Sequence, residues 1–145
     1  MVRPILEYCS TVWSPHTKQL TNKIEMVQRR AARFACNRFH NTSSVSDMLD
    51  SLHWRTLEHR RQCSKLSMMF KIVHQAVAIP PSYLYPRILT PTRYCHDLHF
   101  LIPHCRTAYL QNSFFPSTTV LWNNLPPHVI SKNSLESFQR ALSSV

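Results

Sequence analysis

Ile24-Glu-Met-Val-Gln-Arg-Arg-Ala-Ala-Arg-Phe34 is the stretch that decides the fold. At about 100° per residue, Leu20, Ile24, Val27, Ala31, Phe34 and Ala35 fall on one stripe of a helix. Lys18, Asn22, Arg29 and Arg33 fall on the opposite side, with Arg30 on the flank. The pattern predicts a long amphipathic helix from Thr17, its N-cap, to about Asn37. Its apolar stripe is expected to be buried and its basic face to meet something negative.

The neighbouring segments also read as helices. Pro4 to Trp13 is apolar and aromatic, and predicts a buried helix that Ser14-Pro15 stops. Ser44-Val-Ser-Asp47 resembles a capping box ahead of a short helix through Met48, Leu49 and Leu52. A helix over about 54–75 follows. It carries Trp54, Leu57, Ser64, Met68 and Ile72 on one face and Leu66, Met69, Phe70 and Val73 on another, so it is expected to be contacted from both sides. A further helix starts near Phe115-Pro116, holds Val120, Leu121, Trp122 and Leu125, and ends at Pro126-Pro127. Ser134 caps a last helix with Leu135, Phe138 and Leu142 on one side. Trp13, Phe34, Trp54, Phe70 and Trp122 are the expected core aromatics.

Composition agrees with a helical chain. The 145 residues contain no glycine and ten prolines. Average usage would supply about ten glycines in this length. Their absence excludes Gly-rich phosphate loops and removes the usual residue for helix C-caps and tight hairpins. Between residues 76 and 112, Pro80, Pro81, Pro86, Pro91 and Pro103 predict an extended linker, with one short strand near Arg87–Leu89. The fold class expected is mainly α, an irregular helical bundle with a Pro-rich extended linker. Its divisions are 1–75, 76–112 and 113–145.

Seventeen Lys and Arg against seven Asp and Glu leave a formal net charge of +10. Such a surplus favours polyanionic partners, and the leading phosphate contacts are Arg29, Arg30 and Arg33, with Arg60 and Arg61 next. Tyr83, Tyr85, Tyr94, Phe100 and Tyr109 are candidates to stack on single-stranded bases. The alternative for each of these residues is a solvated basic face and core-packing aromatics. The seven acids are too dispersed for a two-metal phosphoryl-transfer centre. Cys95, His96, His99, His104 and Cys105 crowd together, and Cys95, His99, His104 and Cys105 are the residues of a weak zinc candidate. Their spacing matches no finger or knuckle, so no metal and no cofactor is expected. No motif gives any cysteine a catalytic partner. Five scattered cysteines and the lack of a leader or long apolar run read as an intracellular chain, nuclear or cytoplasmic, neither secreted nor membrane-bound.

Several blocks, taken together, carry a resemblance. They are Arg3-Pro-Ile-Leu-Glu-Tyr-Cys-Ser-Thr-Val-Trp13, Ile24-Glu-Met-Val-Gln-Arg-Arg-Ala-Ala-Arg33, Ser43-Ser-Val-Ser-Asp-Met-Leu49, Leu52-His-Trp54 and Leu57-Glu-His-Arg-Arg61. Met69-Phe-Lys-Ile72, Ser113-Phe-Phe-Pro116, Trp122-Asn-Asn-Leu-Pro126 and Ser134-Leu-Glu-Ser-Phe138 continue them. In this order the chain resembles the C-terminal, thumb and post-thumb, portion of reverse transcriptases from non-LTR retrotransposons of the Jockey type. The resemblance implies a region that helps to hold template and product strands, here RNA or an RNA–DNA hybrid. It also implies that the palm, with its Tyr-x-Asp-Asp metal site, and the fingers are missing, so nothing catalytic carries over. Met1, just ahead of Arg3-Pro4, reads as a chance initiator within a longer frame. The alternatives are a functionless fragment or a protein-interaction module. In the latter, Leu6, Tyr8, Val12 and Trp13 form an exposed patch that recruits partners or self-associates.

Overall fold

The computed structural model describes residues 3–40, 43–80, 84–85 and 98–143. Among these the fold is mainly α, and no strand is present. The chain divides into two compact units, Met1–Arg61 and Gln62–Val145. The division falls inside a helix, at Arg61 rather than near residue 75.

The first unit contains α1 (Arg3–Glu7), α2 (Ser10–Trp13), α3 (Lys18–Ala35), α4 (Val45–Ser51) and the start of α5 (Leu57–Val73). Thr17 caps α3 as expected, its Oγ1 accepting from the Leu20 N–H. Ser44 likewise caps α4, accepting from the Asp47 N–H. α5 starts at Leu57 rather than Trp54 because Thr56 caps it, accepting from the His59 N–H at 3.2 Å. The expected single buried helix over Pro4–Trp13 is instead two short helices. Cys9 sits between them in the left-handed region, at φ 49°. Most of that segment is exposed, Val12 to 84%, and Trp13 is not in the core. Within it Ser10 is buried, and the Trp13 indole N–H donates to the Tyr8 carbonyl.

α3 also departs from expectation. Its buried positions are Glu25, Gln28 and Ala32. Leu20 and Val27 are exposed and Ile24 and Ala31 half-buried, while Phe34 is 79% exposed. At 3.6 residues per turn, the buried ridge lies about 100° around the helix from the apolar stripe. α3 packs against α4. Ala32, Met48 and Leu57 are the fully buried apolar residues among those described in this unit, and Trp54 is half-buried.

The second unit holds the rest of α5, with α6 (Ala108–Gln111), α7 (Phe114–Asn123), α8 (Pro127–Ile130) and α9 (Leu135–Leu142). Its core is aromatic. Trp122 and Phe138 are fully buried, with ring centroids 5.8 Å apart, and Phe70 stacks on Phe138 at 4.6 Å. From Lys65 to Ile72, α5 is buried around most of its circumference, as its two apolar faces predicted. The segment expected to be a linker contributes Leu84 and Phe100 to this core. α7 pins it: the Trp122 indole N–H donates to the Leu98 carbonyl at 3.0 Å. Asn123 accepts from the Phe100 N–H and donates to its carbonyl, at 3.1 and 2.8 Å. Thr107 caps the unforeseen α6. Pro126-Pro127 does more than end a helix, since Pro127 opens the one-turn α8. Ser134 caps α9, accepting from the Ser137 N–H. The short strand expected near Arg87–Leu89 lies outside the described residues.

A glycine-free chain still closes its long helices in the left-handed region. Asn37, His53 and Gln75 follow α3, α4 and α5 with φ of 51°, 52° and 54°. Each heads a Schellman pair. Arg38 and Asn37 donate back to Arg33 and Phe34, Trp54 and His53 to Leu49 and Asp50, and Ala76 and Gln75 to Lys71 and Ile72. Asparagine tolerates this conformation, whereas a side chain such as His or Gln carries a penalty of about 1 kcal/mol there. His53→Gly and Gln75→Gly are therefore expected to stabilise the fold by about 0.5–1 kcal/mol each, and Asn37→Gly by less. Thermal melts followed by circular dichroism test this, and a lower Tm for both variants would contradict the left-handed caps.

Candidate nucleic-acid interface

α3 carries five cations (Lys18, Lys23, Arg29, Arg30 and Arg33) against one carboxylate, Glu25. What separates the cations from that carboxylate is how the helix is anchored. Glu25 Oε1 accepts from the Glu58 N–H at 2.8 Å, in the first turn of α5. Those first N–H groups have no partner within their own helix, and a carboxylate there is favoured by the helix dipole as well. One turn along α3, Gln28 Nε2 donates to the Arg55 carbonyl at 2.9 Å, just before α5 begins. Arg61 is 2% exposed, with Nη2 4.0 Å from Glu25 Oε1. Glu25 thus faces inward and is engaged there, while Lys18, Lys23, Arg29 and Arg30 stay exposed on a helix that carries no other acid.

The five arginines selected from the sequence fall into three groups. Arg29 and Arg30 are exposed and form no ion pair among the described residues. Arg33 is half-buried, its Nε without a hydrogen-bond partner. Lys18, Lys23 and Arg38 are exposed as well. Arg60 and Arg61 are not part of this surface. Arg60 Nη2 pairs with Glu7 Oε2 at 2.7 Å, holding α1 against the first turn of α5. Arg61 is buried beside Glu25, and burial removes its guanidinium from any solvent-facing phosphate site. Sequence reasoning counted Glu7 and Glu25 only as dispersed acids. The signal it had available was that each sits among apolar neighbours, where a carboxylate needs a partner.

The other candidates resolve as follows. Tyr85 and Tyr109 are exposed, whereas Phe100 belongs to the core of the second unit. Tyr83, Tyr94, Cys95 and His96 lie outside the described residues. His104 and Cys105 line a pocket of about 460 Å³ with Pro116 and Val120, and Cys105 Sγ donates to the Pro103 carbonyl at 3.3 Å. His99 is half-buried. Among the described residues, no three His, Cys, Asp or Glu side chains form a group that could hold a metal ion. Cys9, Cys36 and Cys105 are free thiols. No described helix is long and apolar enough to cross a membrane.

No family model, no curated protein and no solved structure matches this chain.

If Glu25 anchors α3, Glu25→Ala leaves the Glu58 N–H without its acceptor and the buried Arg61 guanidinium without its ion-pair partner. The expected loss is about 2–3 kcal/mol, and Glu25→Leu combined with Arg61→Met should recover the share owed to the unpaired guanidinium but not that of the Glu58 N–H. Urea unfolding, with hydrogen exchange read at the α3 amides, measures both. Unchanged exchange in Glu25→Ala would show that α3 is anchored otherwise.

Proposed function

We propose that the chain is a non-catalytic helical region of the non-LTR reverse transcriptase type, binding RNA or an RNA–DNA hybrid without regard to sequence. The observation that carries this reading is the outward surface of α3. Arg29 and Arg30 are exposed there, and the helix's one acid is turned inward onto the start of α5. Guanidinium forks suit phosphate oxygens, and a contact of this kind draws on charge rather than base identity. A net charge of +10 adds long-range attraction for a polyanion. The block order that resembles a thumb region supports the same ligand class, with the catalytic residues expected in the palm of a longer polymerase. In this reading the chain is not itself an enzyme, and the palm and fingers of the parent polymerase are its natural neighbours.

Fluorescence anisotropy of labelled single-stranded RNA, and of an RNA–DNA hybrid, over a salt series tests the proposal. Binding should weaken steeply with salt. The slope of log K against log salt should flatten by about one for each phosphate contact removed in Arg29→Ala and Arg30→Ala. Folded protein that fails to bind either probe at low salt, or a double variant with an unchanged slope, would overturn it.

A further inference from the structure

The apolar stripe of α3 is not simply lost to solvent. Val27, Ala31 and Phe34 form one wall of an open groove of about 520 Å³, completed by Leu6, Trp54 and Leu57. All of these residues lie in the first unit. We infer that this groove receives the apolar face of an acidic amphipathic helix from a partner protein.

Shape is the first argument. The α3 wall runs from Val27 to Ala35, which at 1.5 Å per residue is about 12 Å, or just over two helical turns. That length fits a docked helix presenting apolar side chains at i, i+4 and i+7. The left-handed His53 supports the facing wall, because its Schellman pair ties the Trp54 N–H to the Leu49 carbonyl at 2.8 Å.

Chemistry is the second. A polar small ligand or a flipped base needs convergent hydrogen-bonding groups to orient it. The polar side chains lining this groove are Gln28, Arg30 and Arg60. Gln28 is buried, its amide N–H serving the Arg55 carbonyl and its Oε1 closed off from the groove's solvent, and Arg60 is held by Glu7. Arg30 remains, exposed at the rim. An occupant is therefore recognised by apolar contact plus one anionic group at the edge.

Charge selects among apolar occupants. None of the residues lining the groove is acidic. A second copy of this chain would bring another +10 and the same arginine rim, which repel. A helix with carboxylates flanking its apolar stripe is complementary to that rim and is steered towards it.

A displayed library of roughly sixteen-residue helical peptides, selected against the full chain, tests the inference. Enriched peptides should carry apolar residues at i, i+4 and i+7 flanked by Asp or Glu. Their affinity, measured by anisotropy, should fall about tenfold or more in Phe34→Ser, a substitution at an exposed position that leaves the fold intact. Ala31→Trp, which fills the groove, should abolish binding. Arg30→Glu should shift preference towards lysine-bearing versions of the same peptides. No enrichment, enrichment without acidic bias, or peptides that bind Phe34→Ser as well as the parent would overturn the inference. So would groove-dependent dimerisation seen by sedimentation, or single-stranded RNA binding lost equally in Phe34→Ser, since each assigns the groove to another occupant.

Discussion

The hydrogen bond from the Glu58 N–H to Glu25 is the contact on which the first unit depends. A helix start has donors with no intrahelical acceptor, and a carboxylate delivered from a neighbouring helix satisfies one of them with favourable charge. Once Glu25 is committed there, the rotation of α3 is set, and Gln28 reaches the Arg55 carbonyl one turn later. The same rotation turns Arg29 and Arg30 to solvent and leaves Val27 and Phe34 lining an open groove.

Magnitudes make this arrangement reasonable. A charged hydrogen bond contributes about 1.5–3 kcal/mol, and a neutral one about 1 kcal/mol. Fully burying a Val or Phe side chain contributes about 1.5–3 kcal/mol. The polar seam and the apolar stripe are thus evenly matched. Rotating α3 to bury the stripe would also take Glu25 away from the Glu58 N–H and from Arg61, and Gln28 away from the Arg55 carbonyl, and buried unpaired charge is the costlier fault. A surface that covers the stripe from outside gains the apolar term and leaves the seam intact.

The two units solve the core problem differently. In the second, Trp122, Phe138 and Phe70 bury large aromatic areas, and α7 uses the edges of Trp122 and Asn123 to satisfy the backbone of residues 98–100. A segment without helix or strand can enter a core only when its backbone groups find such partners. In the first, Ala32, Met48 and Leu57 give little apolar volume, and side-chain hydrogen bonds and ion pairs supply the cohesion. The ends of α3, α4 and α5 rely on Schellman pairs headed by residues other than glycine, so termination there is set by hydrogen bonding and not by a favoured residue.

Local chemistry was legible in the sequence. The caps at Thr17, Ser44 and Ser134, the aromatic core residues Phe70 and Trp122, and the mainly helical fold follow from short-range spacing and turn chemistry, because each depends on atoms within a turn or two. Tertiary contact decided the rest. The sequence by itself put Leu20, Val27 and Phe34 on one stripe, but periodicity says only that two faces differ, not which one is buried. Glu25, Gln28 and Arg61 settled that through partners about thirty residues away. Contact with Glu7 and Glu25 also drew Arg60 and Arg61 away from the basic surface while Arg29 and Arg30 stayed on it. Charge and hydropathy along a chain list which groups need partners, and only the folded arrangement determines which of them find one.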